Sequence, residues 1–181
     1  MPIVPEDKDW TWVIEEPCPE CGFDATVFLR EQVSELIEAN TQDWVELAAE
    51  HGDSFPVRPV EERWSSLEYA CHVRDVYRLY DVRLHLMLDR DDPDYPNWDQ
   101  DATAVEDRYG EQSLPIVIDD LVAAGTKLAE SFAQVSGDQW ERTGNRSDGA
   151  RFTVESFARY MVHDPVHHAW DVRQNVALLT D

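Results

Sequence analysis

The chain has 181 residues, 43 % of them apolar and 10 % aromatic, which is enough for one packed domain and too few for two comfortable ones. Its 38 acidic residues against 15 Lys plus Arg give a formal net charge of -23, a balance that repels nucleic acid and anionic membrane surfaces because both require cationic side chains. No run approaches the roughly 18 uninterrupted apolar residues of a membrane span, and MPIVPEDKDW lacks the basic-then-apolar pattern of a signal peptide, so a cytoplasmic location is expected.

Residues 1–22, rich in Pro, Trp and charge, show no period and read as an extended arm laid over a body that occupies 23–181. The arm carries Cys18-Pro-Glu-Cys21-Gly, half of a zinc ribbon or a redox pair in form. No second CxxC follows, since the remaining cysteine is Cys71, and a structural or incidental role is expected. Asp24 then caps a helix over Ala25 to Ala39, and Thr41 caps a short continuation from Trp44 to Glu50 that stops at His51-Gly52.

Ser65 and Glu68 stand in capping-box spacing at the head of a long helix reaching about Asp89, with Leu67, Cys71, Tyr77, Leu84 and Leu88 sharing much of one face. Asp91 to Tyr109, acidic and interrupted by Pro93 and Pro96, reads as a long loop between the second and third main helices. Ser113 and Pro115 open the next helix, whose stripe of Val117, Leu121, Leu128 and Phe132 ends before Gly137. A polar loop from Gly144 to Gly149 precedes Thr153, which caps a last long helix from Val154 to about Val176. Four main helices without a convincing alternating strand pattern predict an all-α helical bundle.

The histidines carry the chemistry. Three of the six fall in the last helix as HDPVHH, and the four-residue step from His163 to His167 puts both on one face, where they can close on one ion. Two ligands hold a transition metal weakly, so a third is expected from another segment. His72, on the second long helix with Val76 and Leu79 on its side, is the best candidate. Three imidazoles would leave a coordination position free, as catalytic sites do. Asp75 and Asp171 are placed to orient ring N–H groups of His72 and His167, or to serve as ordinary surface acids. Pro165 lies between the two histidines and predicts a kink. Asp164 after His163 makes only a weak match to the zinc-protease HExxH. His168, turned about 100° from His167, is expected to pack or face solvent.

One His in CHVRD (His72) and an HxxxH in HDPVHHAWDV (His163 and His167) lie about ninety residues apart, with WSSLEYACHVRDV in the first of these regions and GNRSDGARFTVESFARYMVH leading to the second. In this order the pattern resembles the DinB/YfiT-like superfamily over roughly Phe23 to Val176. The resemblance implies an up-down, DinB-like four-helix bundle whose three histidines hold a divalent ion, usually Zn²⁺ or Ni²⁺, open to solvent or substrate. Characterised members include thiol-dependent S-transferases and a mycothiol-dependent maleylpyruvate isomerase. The expected function is therefore a metal-dependent transferase that activates a low-molecular-weight thiol, mycothiol- or bacillithiol-like, as cosubstrate. A non-catalytic or stress-related metal-binding protein and a metal-dependent hydrolase are the alternatives. An anionic thiol would need cations near the mouth, such as Arg74 and Arg78. The expected partner is a small molecule, and a homodimer is compatible with the bundle, although no surface stripe singles out a partner.

Overall fold

The computed structural model describes residues 9–180. Five α-helices carry the chain: α1 (Val33–His51), α2 (Ser66–Asp89), α3 (Gln100–Glu106), α4 (Leu114–Ala133) and α5 (Val154–Thr180). Three short strands, β1 (Asp94–Tyr95), β2 (Thr143–Arg146) and β3 (Arg151–Thr153), form a sheet in the order β1-β2-β3, parallel then antiparallel.

The four long helices form the expected bundle. α2 packs on α4 and α5, and α1 packs on the same two, so that α1 and α2 lie across one diagonal and α4 and α5 across the other. The interior is built from large side chains at helical spacing, including Trp44 of α1, Tyr77 and Leu84 of α2, Leu121 and Leu128 of α4, and Phe157 and Met161 of α5. Two buried hydrogen bonds tie its helices together. Tyr77 Oη donates to Asn40 Oδ1 at 2.6 Å, and Trp44 Nε1 donates to the carbonyl of Pro165 at 3.3 Å. α1 and α4 approach closely at Gly125, where an added Cβ would lie 2.3 Å from Thr41 Oγ1 and 3.0 Å from the Tyr77 ring.

Helix starts follow local chemistry. Ser65 accepts from the Glu68 backbone N–H at 3.2 Å while the Glu68 carboxylate accepts from the Ser65 N–H at 2.7 Å, closing the capping box at the head of α2. Thr153 Oγ1 accepts from Ser156 N at 3.0 Å at the head of α5. α5 runs unbroken through Pro165.

Several local expectations are revised. The first helix does not begin at Ala25: Asp24 accepts from the backbone and hydroxyl of Thr26 and closes a turn, a 3-10 turn spans Arg30–Gln32, and α1 starts at Val33. α1 is then unbroken, because Thr41 satisfies its hydroxyl on the carbonyl of Ile37 within the helix instead of capping a new one. The segment after α2 holds β1 and α3, capped by Asp99 on the Ala102 N–H. The polar loop at 144–149 belongs to the β2–β3 hairpin. Residues 1–8 of the expected arm lie outside the described residues. Its described part is folded, with a 3-10 turn at Thr11–Ile14 packed on α5 and a tight turn at the two cysteines. Among the described residues no helix is long and apolar enough to cross a membrane.

Candidate metal centres

α5 presents two pairs of metal-type side chains, one residue out of phase. His163 and His167 point toward the arm, while Asp164 and His168 point toward α2. Both pairs use the four-residue step, and consecutive positions are separated by about 100° around the helix. The three histidines expected to share one ion are thus sorted into two groups. His72 converges with Asp164 and His168, whereas His163 and His167 converge with Cys18 and Cys21. In each group one donor atom per residue lies within 4.8 Å of all the others.

His72 is fully buried in α2. Its ring lies face to face with Trp98 (centroids 5.2 Å apart, 6° between planes), edge-on to His168 (4.8 Å, 88°), and tilted against Trp64 at 5.4 Å. Nε2 stands 3.3 Å from Asp164 Oδ1, yet neither nitrogen of His72 nor that carboxylate oxygen has a hydrogen-bond partner. Unsatisfied buried donors and acceptors are costly, on the order of 1–3 kcal/mol each. His72 Nε2 and Asp164 Oδ1 face one another, and a cation beside them would satisfy both. Burial pushes the His72 pKa below its ordinary value, which keeps the imidazole neutral and able to ligate. Burial opposes ionisation of Asp164 as well, but His72 and His168 overcome it and hold the carboxyl down to about 2.

His168 is oriented from behind. Its Nδ1 lies 3.0 Å from Asp171 Oδ2, its ring stacks on Tyr69 at 5.0 Å, and Nε2 is left 3.8 Å from Asp164 Oδ1. A carboxylate on the far nitrogen fixes the tautomer and ring angle of a ligating histidine. Asp171 is itself held by Arg63 at 2.9 Å, and against the effect of burial its neighbours His168, His167 and Arg63 lower its pKa. The expected partner of His72, Asp75, is occupied elsewhere: it accepts from Arg74 and from the Tyr109 hydroxyl at 2.7 Å. Asp171 serves His168 first and stands 3.9 Å from His167 Nε2.

A cavity of about 1270 Å³ opens over Asp164 and His168 and is also lined in part by His163 and His167. Trp10, Trp64, Tyr69, Trp98, Tyr160 and Trp170 contribute to its wall, and Asp9 with Glu20 brings the arm into it. The cations on the wall are Arg63 and Arg146, each paired with a carboxylate, Asp171 and Asp148 respectively. Arg74 and Arg78, the cations expected at the mouth, are engaged by Asp75 and Asp120 instead.

His168 and Asp164 are the residues that the reading of the sequence undervalued. The signal was present in HDPVHH, where the four-residue step can be taken from 163 or from 164. Cys71 is core, as expected, buried with its thiol near the Tyr109 carbonyl, and burial pushes its pKa up to about 12.

The bundle and the paired metal-type donors on its last helix define the class, and comparison with known sequences defines the family: the DinB superfamily profile matches residues 36–172. The chain belongs to the DinB superfamily. Among solved structures it is similar to YfiT from Bacillus subtilis, described as a probable metal-dependent hydrolase with an unusual four-helix bundle topology. The two share 16 % identity with a TM-score of 0.66 over 90 % of this chain and 91 % of that one. No curated protein matches the chain by sequence comparison.

Proposed function

We propose that this protein is a divalent-metal-dependent enzyme whose ion is held by His72, Asp164 and His168, and that it activates a low-molecular-weight thiol for transfer to a small electrophile. The observation that carries the reading is the pair of buried, unpartnered atoms His72 Nε2 and Asp164 Oδ1, which meet where Asp164 and His168 line an aromatic cavity. Two imidazoles and a carboxylate suit Zn²⁺ or Ni²⁺ and leave coordination positions free on the cavity side. A bound ion would lower the pKa of a thiol or a water molecule brought to it.

The chain's own groups narrow the substrate. Acidic residues on the wall, among them Asp9, Glu20, Glu62, Asp99 and Asp101, repel anions, while both wall arginines are already paired. A neutral thiol of the mycothiol type fits this wall better than an anionic one of the bacillithiol type. Trp98, stacked on His72, keeps water from the buried face of that ring, and Asp171 holds His168 in the ligating orientation. Tyr69, Trp64 and Trp170 offer flat apolar surface to an uncharged ligand.

Metal-dependent hydrolysis is a second reading, supported by the printed description of the structural neighbour. The two are separated by assaying metal-loaded protein with a panel of thiols and a chromogenic electrophile, and in parallel with activated esters and amides, each with and without chelator. Chelator-sensitive conjugation that is lost in Asp164→Asn supports the transferase. Thiol-independent, chelator-sensitive hydrolysis replaces it with the second reading, and metal-loaded protein inert in both panels overturns the enzyme.

A further inference from the structure

The Cys18-Pro-Glu-Cys21-Gly turn has no role in the chemistry proposed above, yet it is folded into a defined shape against α5. Cys18 N–H donates to the Phe23 carbonyl at 2.8 Å and Gly22 N–H donates to the Cys18 carbonyl at 2.9 Å. Gly22 adopts φ +74°, a left-handed conformation that suits glycine and lets the chain reverse immediately after Cys21. The reversal brings both thiols to the face of α5 that carries His163 and His167.

The four donors are close. Cys18 Sγ lies 3.6 Å from His167 Nδ1, and the His163 and His167 ring centroids are 5.1 Å apart. A tetrahedral zinc ion with Zn–S of about 2.3 Å and Zn–N of about 2.0–2.1 Å sets its sulfur and nitrogen ligands about 3.6 Å apart. Cys18, His163 and His167 are buried and Cys21 is half-buried, so the cluster is largely closed to solvent. His167 is also arranged as a ligand usually is. One nitrogen faces the thiol, and the other, Nε2, faces carboxylates, 3.5 Å from Glu20 Oε2 and 3.9 Å from Asp171 Oδ2. The missing half of the zinc ribbon is thus supplied by a helix some 140 residues further along the chain.

We infer that Cys18, Cys21, His163 and His167 form a second metal site, a closed Cys2His2 centre for structural Zn²⁺ that fastens the N-terminal arm to α5. Two thiolates and two neutral imidazoles fill a tetrahedral shell and neutralise the ion, leaving no position for substrate. Its effect on the neighbouring site is architectural. The arm contributes Asp9, Trp10, Thr11 and Glu20 to the cavity wall, and Trp10 rests on His163 and His167 at 5.4 and 5.0 Å, so releasing the zinc releases that wall. The inference stands apart from the reaction proposed above, since it needs no turnover.

The test uses full-length untagged protein reconstituted with Zn²⁺ or Co²⁺. Elemental analysis is expected to give about two equivalents of zinc per chain, falling by one in Cys18→Ser/Cys21→Ser and by a different one in Asp164→Asn. Cobalt bound to the parent and to Asp164→Asn is expected to show thiolate-to-metal charge transfer and the intense visible bands of a tetrahedral centre, with the charge transfer absent in the double cysteine variant. Alkylation of the two thiols by iodoacetamide is expected to slow by at least tenfold on adding zinc to the unmutated parent, a readout that does not depend on a variant folding. A cobalt spectrum of the parent without thiolate charge transfer, thiols equally reactive with and without zinc, or recovery of Cys18 and Cys21 as a disulfide under zinc-replete reducing conditions would overturn the inference. Failure of the Asp164 site alone, with the thiolate signature intact, would sink the proposed function and leave this centre standing.

Discussion

The two clusters on α5 use the same helical step and differ in what faces them. The pair at 163 and 167 meets two soft, largely enclosed thiols carried by a turn. The pair at 164 and 168 meets a single imidazole on α2, so on the cavity that both pairs line it is the one whose protein donors stop at three. A tetrahedral shell completed by protein is a fastening, whereas three protein donors beside a cavity leave room for chemistry. Helical spacing alone therefore says that two side chains can converge. The partner segment decides whether the result is structural or reactive.

The comparison breaks most severely if the open cluster proves dispensable. His72→Ala and the near-isosteric Asp164→Asn should each lower metal-dependent turnover by roughly 10³-fold, corresponding to about 4 kcal/mol of lost transition-state stabilisation, measured as kcat/KM under saturating zinc. Parent-like activity in both variants would remove the open site from the mechanism. Gly125→Ala separates scaffold from sites. Its methyl group would overlap Thr41 Oγ1, so denaturant melts should show a loss of about 2–3 kcal/mol while both metal equivalents remain. Asp171→Asn sharpens the contrast further. It weakens the support behind His168, and metal affinity at the open site should fall roughly tenfold, while thiolate-to-cobalt absorption at the other cluster persists.

The smallest effect concerns the helix that delivers His72. Burial alone would raise the Glu68 pKa, but Arg58 and the Ser65 backbone N–H outweigh it and hold the carboxyl below its ordinary value of 4.5. A depressed folded pKa contributes stability above the unfolded value, and that contribution is lost as pH falls through the folded one. Glu68→Gln should therefore cost about 1 kcal/mol at neutral pH and progressively less below about 4.5, read from urea midpoints across the acid range.

Much of the bundle was legible because it rests on local signals. The Ser65/Glu68 box, Pro115 in the first turn of α4, Thr153 at the head of α5 and the apolar spacing within each helix all act over a few residues. The misreadings arose where two local signals compete. Asp24 followed by apolar residues looks like a helix start, but its carboxylate is spent on Thr26, and the strands at 143–146 and 151–153 are too short to show alternation. The metal-type residues were visible as residue types, and their grouping was not. HDPVHH admits two phases, and choosing between them requires knowing which helix faces which side. CPECG looked incomplete because its partners are separated from it by most of the chain.

The stacking of Trp98 on His72, almost parallel at 5.2 Å, has a practical consequence. An indole in face-to-face contact with an imidazole senses any change in that ring's electron demand, so its emission reports when the ring gains a proton or a cation. Trp10 touches the rings at 163 and 167 in tilted and edge-on contact, at 5.4 and 5.0 Å, and is close enough to sense them as well. Among seven tryptophans, the change in emission that disappears in Trp98→Phe, or in Trp10→Phe, would be assigned to the cluster that indole touches, with no label added.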